Sequence, residues 1–178
     1  MTSHEVRSVT VDIETPQVHV WDVLLDYPRY PEWNPYTVRV ESNCSLGDPV
    51  DLYLPDPRKP GELMHQREWV CLVEPPYRFA YEMHPTPELD LHARRDQYVE
   101  ATGPSSCRYW TTDVFAGPLA HPVMAHTGVW VKDGFEPVAA PLDAVAEGRS
   151  LPGPYCEPHQ RPPTTPPTFR HPRRAPGL

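Results

Sequence analysis

No stretch of this 178-residue chain stays apolar for more than a few residues, and its mean hydropathy is −0.57. A membrane-spanning helix needs roughly 20 mostly apolar residues, so none is expected. Met1 to Arg7 carry no basic segment leading into an apolar core, so no secretory signal is expected either. Cysteine is scarce. Cys44, Cys71, Cys107 and Cys156 form no close pair and no C-x-x-C, which argues against a zinc cluster or a redox couple. Their spacing leads us to expect free thiols and a cytoplasmic protein.

Basic charge is in deficit as well. Sixteen Lys and Arg against 24 Asp and Glu leave a net charge of −8. Nucleic-acid phosphates need a clustered basic surface, so nucleic acid is not an expected partner. No G-x-S-x-G, P-loop or G-x-G-x-x-G occurs, which leaves serine-hydrolase and nucleotide-binding readings without support. The nine histidines form no H-E-x-x-H and no H-x-H. A metal site would need ligands converging from separate strands, and none is expected.

What the chain has in surplus is proline, 26 in all, against a usual share of about 5%. Nine of them fall in residues 151–178, whose only large apolar residues are Leu151, Tyr155, Phe169 and Leu178. Such a segment cannot bury enough surface to offset its ordering entropy, so it reads as a disordered or polyproline tail. Its net charge is +3, which leaves residues 1–150 at −11. The expected organisation is one domain over 1–150 and a tail over 151–178.

Within the domain the hydrophobic period switches several times. Val9, Val11 and Ile13 alternate with polar residues as in a half-buried strand. Thr15-Pro16 reads as an N-cap with proline at the first helical position, and Val18, Trp21 and Leu25 follow at helical spacing. Tyr30 to Pro35 is too proline-rich for a strand and reads as a short helix or turn. Strand patterns then recur over 36–41, 50–54, 63–74, 78–83, 89–101 and 106–116. The last stretch is helical, with Val131, Phe135, Val138, Leu142 and Val145 along one face. Pro137 and Pro141 predict a kink or break between 133 and 141. The short loops imply an antiparallel meander, and one long helix must cover one face of it. The expected fold is α+β: a curved antiparallel sheet of about seven strands wrapped around a long C-terminal helix, with two short helices. The space between sheet and helix is the default place for a ligand.

Four segments in this order resemble the SRPBCC superfamily, also called START-like or polyketide cyclase/dehydrase-like. They are Ile13-Glu14-Thr15-Pro16 with Val20-Trp21-Asp22-Val23-Leu24; Asp26 to Tyr36, with its Tyr-Pro-Glu-Trp-Asn-Pro; Val73 to Phe79; and Asp113-Val114-Phe115-Ala116-Gly117-Pro118-Leu119. The resemblance covers about residues 6–147. It implies a helix-grip fold with a deep hydrophobic cavity, shared by aromatase/cyclases, lipid carriers, hormone receptors and uncharacterised binders. The chain departs from the family pattern in three places: Asp113 stands where glutamate is usual, Pro137 and Pro141 interrupt the gripping helix, and the tail has no counterpart.

The strand over 63–74 bears the most chemistry. Trp69, Cys71 and Val73 suit an inward face, whereas Gln66 and Glu68 prefer water. On that parity His65 and Arg67 also point inward, near the cavity mouth. By resemblance to aromatase/cyclases, Arg67 and Tyr36 would hold and polarise a substrate, and His65 would move the proton. Trp69, Tyr81, Tyr109, His126 and Trp130 are the expected ligand-binding residues. Asp113 reads as a brace for the following helix, and His92, Arg94, Arg95 and Asp96 as a solvated outer face. The expectation is a cofactor-independent cyclase or dehydratase-type enzyme acting on a hydrophobic, polyketide-like intermediate. The alternatives are a non-catalytic carrier or sensor of a hydrophobic metabolite, and an interaction protein that works through its proline-rich tail.

Overall fold

The computed structural model describes residues 3–149 and Leu151. Eight strands form one antiparallel sheet: β1 (Ser3–Arg7), β2 (Val11–Ile13), β3 (Arg39–Glu41), β4 (Pro49–Pro55), β5 (Leu63–Glu74), β6 (Arg78–Met83), β7 (His92–Gly103) and β8 (Ser106–Ala116). The order is β1-β8-β7-β6-β5-β4-β3, and β2 also pairs with β8. Consecutive strands from β3 to β8 are neighbours, which is the expected meander. β1 and β2 are two halves of one edge, broken at Ser8, whose backbone N–H donates to the Thr111 carbonyl and whose Oγ accepts from the Thr111 N–H, both at 3.0 Å. The expected first strand included Val9, but Val9 lies in this break and is exposed.

The helices are α1 (Gln17–Leu25), the single turn α2 (Tyr30–Trp33), α3 (Ala120–Phe135) and α4 (Ala139–Ala146), with a 3₁₀ turn over Glu136–Val138. Val20, Trp21 and Leu24 are the buried face of α1. Thr15 does not cap α1. Its Oγ1 donates to the Ala146 carbonyl at 3.4 Å, and Pro16 occupies the cap position. Tyr27, Tyr30 and Trp33 pack edge to face beside α1, and the Tyr30 hydroxyl donates to the Leu24 carbonyl at 2.7 Å.

The break in the long helix falls where the prolines require it. Pro137 sits in the 3₁₀ turn and Pro141 in the first turn of α4, where a missing N–H costs no intrahelical bond. Backbone angles stay helical through the turn, so Val131, Phe135, Val138 and Leu142 keep one buried face against the sheet. Gly117 turns the chain from β8 into α3. Its φ is +106°, and a Cβ there would stand 3.0 Å from the Asp90 carbonyl oxygen, so glycine is needed on both counts.

Leu151 still packs against the core. The proline-rich reading of the rest of the tail concerns residues that lie outside those described. Among the described residues, no helix is long and apolar enough to cross a membrane.

Candidate functional site

Between the concave face of the sheet and α3 lies a cavity of about 250 Å³. Its wall is mostly aliphatic and aromatic, with Leu52, Leu54, Met64, Met83, Phe115 and Trp130 as large contributors. Leu89 and Leu91, from the loop before β7, close one side. Four groups at one end are polar or charged: Gln66, Glu68, Arg95 and Asp113.

The sheet register builds that polar end. Asp113 on β8 pairs directly with Arg95 on β7, and Arg95 with Tyr81 on β6. The three side chains therefore form one row across the floor. Glu68 projects from β5 beside them, and the Gln66 side-chain amide donates to its carboxylate. Arg95 is buried, and its Nε donates to Thr111 Oγ1 at 3.1 Å. Its guanidinium lies 4.4 Å from the Phe135 ring centroid and 5.6 Å from that of Tyr36. Asp113 lies deep among protein atoms yet keeps surface toward the cavity, and its Oδ1 has no hydrogen-bond partner among the described residues.

Burial governs the titration of both carboxyls. Burial, reinforced by the charge of Asp113 and opposed by Arg95, pushes Glu68 up to about 8. Burial, opposed by Arg95, pushes Asp113 up to about 7. The charge of Asp113 acts on Glu68, so the two carboxyls titrate as a coupled pair. Near neutrality it holds about one proton, so one carboxylate balances one guanidinium in the cavity. A neutral acid then stands beside an ionised base, which is the arrangement proton-transfer sites use.

Tyr36 and Trp130 form the wall near α3, their ring centroids 5.5 Å apart. Asn34 sets the turn that delivers Tyr36: its Oδ1 accepts the N–H groups of Tyr36 and Thr37 at 3.0 and 2.8 Å. Gly134 lets the ring lie flush on the helix, because a Cβ there would fall 2.1 Å from Tyr36 Cδ2.

Of the expected site residues, the structure brings Tyr36, Tyr81 and Trp130 to the cavity wall. The inward-facing reading of His65, Arg67 and Trp69 is corrected. All three lie on the outer face of β5, while Met64, Gln66, Glu68 and Val70 point in. The cause is a register shift in β5 between Val70 and Leu72. A bulge adds one residue and reverses the face on which later residues lie. Val73 and Cys71 therefore say nothing about the parity of Arg67. On the outer face Asp51 takes both Arg67 nitrogens, Nε and Nη2, at 2.8 Å and His65 Nε2 at 2.6 Å. The Arg67 hydrogen bonds hold the Asp51 carboxyl below its usual range.

Tyr109 is corrected too. It shares the inner face of β8 with Asp113 but is fully buried outside the cavity lining, its hydroxyl donating to Gln97 Oε1 at 3.1 Å. His126 is exposed on the solvent side of α3. Asp113 does not brace the helix, since α3 starts without a side-chain cap. The charged run on β7 divides between the faces: Arg95 points inward, whereas Arg78 and Arg94 cover Asp96 on the outside at 2.7–3.1 Å. A signal for Arg95 was present, since adjacent Arg94 and Arg95 on one strand cannot both face water.

These positions predict that His65→Ala and Arg67→Ala leave the cavity's ligand affinity unchanged and cost at most about 1 kcal/mol each in urea unfolding, as for exposed ion pairs.

The curved sheet closed over a long interrupted helix, with an apolar cavity between them, is a helix-grip fold, and solved structures share it. Norcoclaurine synthase from Thalictrum flavum, solved in complex with dopamine and hydroxybenzaldehyde, matches with a TM-score of 0.59 at 13% identity, over 84% of this chain and 90% of that one. A START superfamily protein from Mycobacterium smegmatis matches with a TM-score of 0.59 at 14% identity, over 82% and 98%. The protein Ara h 8.0201 matches with a TM-score of 0.56 at 11% identity, over 83% and 100%. Likeness at this identity establishes the fold and leaves the activity to the site. No protein-family model matches the chain, and no curated protein matches it in sequence.

Proposed function

We propose that the protein is a cofactor-independent enzyme of the cyclase or dehydratase type, acting by proton transfer on a small, mostly apolar carbonyl compound held in the cavity. One observation carries this reading: an apolar chamber whose single polar end holds two carboxyls and one guanidinium. A pure carrier of apolar ligands gains nothing from burying three ionisable groups at several kcal/mol each.

The ionised carboxyl of the Glu68–Asp113 pair removes a proton from the carbon beside the carbonyl. Arg95 stabilises the enolate oxygen that forms. The protonated partner then donates its proton, either to the carbonyl oxygen attacked in ring closure or to a hydroxyl leaving as water. Tyr36, Tyr81 and Trp130 orient the substrate, which supplies rate through positioning. The volume, about 250 Å³, lies just below the usual range of about 300–1,000 Å³ for ligand sites, which suits one or two rings. Free thiols at Cys44, Cys71 and Cys107 support a reducing compartment, and we infer a cytoplasmic location.

The test is deuterium exchange from solvent into an aryl β-diketone, followed by proton NMR. The intact protein should accelerate exchange, and Glu68→Gln should lower the rate about 10²–10⁴-fold while binding persists. Ala93→Trp should fill the cavity from β7 and abolish both binding and exchange. Binding without exchange in the intact protein would identify a carrier and sink the enzymatic reading.

A further inference from the structure

On the opposite face of the sheet, Glu82, His84 and His92 bring one carboxylate and two imidazoles together, with their ligand atoms all within 4.8 Å of one another. Glu82 and His84 share the outer face at the end of β6. The β6–β7 register ends at Met83–Ala93, so His84 and His92 stand opposite each other one step further along. The two oxygens of Glu82 are divided between the imidazoles. Oε2 lies 3.0 Å from His92 Nε2, and Oε1 lies 3.9 Å from His84 Nε2. Trp69 flanks His84 with ring centroids 5.4 Å apart. Arg94, paired with Glu82 across the strands, turns its guanidinium to Asp96 in a two-pronged contact at 2.9 and 3.1 Å. The Glu82 carboxylate is thereby left to the histidines.

We propose that Glu82, His84 and His92 form a zinc-binding site. Two imidazole nitrogens and one carboxylate oxygen are a zinc donor set, whereas calcium and magnesium select oxygen alone. Tetrahedral zinc with bonds of about 2.1 Å places its ligand atoms about 3.4 Å apart. Spacings from 3.0 Å up to 4.8 Å bracket that value. Closing the gap takes rotation of the exposed His84, which stands outside the regular strand.

The site spans the two ends of the loop 84–91. That loop carries Leu89 and Leu91 into the cavity wall, so zinc clasps the segment that closes the chamber. The inference is independent of the chemistry proposed for the cavity, which lies on the other side of the sheet.

Zinc titration of the full chain by calorimetry tests it, with Co²⁺ as the spectroscopic probe. The expected result is one equivalent bound and four-coordinate Co²⁺ absorption. His84→Ala and His92→Ala should each weaken zinc about tenfold or more, with far-UV circular dichroism unchanged. Zinc should also slow amide exchange in residues 84–91. His159→Ala with His171→Ala, and separately His121→Ala, should leave binding intact. Absence of binding, or loss that follows those other histidines instead of His84 and His92, overturns the proposal.

Discussion

Replacing Arg95 with methionine is expected to cost about 3–5 kcal/mol of folding stability at pH 8, the range when removing a counter-charge leaves a buried charge uncompensated. That is a large part of the 5–15 kcal/mol that holds a typical domain together. Among the described residues the guanidinium is the one cation at the cavity floor, and it opposes the effect of burial on both Glu68 and Asp113. Without it the remaining carboxylate sits uncompensated in an apolar chamber. Methionine preserves much of the contact with Phe135 but not the hydrogen bond to Thr111 or the charge over the rings. The cost should shrink at pH 5, where both carboxyls are protonated and need no counter-charge. Lysine should not rescue, because an ammonium cannot reproduce the planar stacking of the guanidinium. Urea unfolding at the two pH values is the measurement. An equal loss at pH 5 and pH 8 would show that Arg95 acts through packing alone.

The second large effect is a dependence of stability on pH. Glu68 and Asp113 both have folded-state values, about 8 and about 7, above those of an unfolded chain. The native state therefore binds more protons than the unfolded state between about pH 4 and pH 8. Stability from these groups is greatest on the acid side of that window. It falls as pH rises and is fully lost above about pH 8. Glu68→Gln keeps the shape and the neutral state of the protonated acid. It should match the parent protein at pH 5 and exceed it by on the order of 2–4 kcal/mol at pH 9. Asp113 remains to balance Arg95, so the variant keeps a neutral floor. Thermal unfolding from pH 5 to pH 9 checks this. A parent protein with no decline across that range would remove the premise that Glu68 is buried and protonated. The proposed catalysis predicts the same substitution to be costly for exchange, so stability and activity should move in opposite directions.

The sequence by itself determined the kind of fold. The helical spacing of Val18, Trp21 and Leu25 made α1 legible, although its buried face is Val20, Trp21 and Leu24 and Val18 is exposed; the alternation along β4, β6 and β8 and the stripe from Val131 to Leu142 were legible too. Pro137 and Pro141 located the break in the gripping helix, because proline acts on its own backbone wherever it stands. These features depend on residues a few positions apart, so periodicity suffices to find them.

The tertiary structure alone decided which charged residues enter the cavity. A single extra residue near Cys71 puts Gln66 and Glu68 inside and His65 and Arg67 outside, against the ordinary preference of a carboxylate for water. Glu68 is tolerable there only because β7 and β8 deliver Arg95 and Asp113 to the same floor. Those strands are some 30 residues and more further along the chain. β1 was missed for a related reason: Ser3 to Arg7 carry little apolar pattern and gain their strand from pairing with β8. Local pattern specifies elements. Compensation among distant charges specifies the site, and it exists only once the strands are side by side.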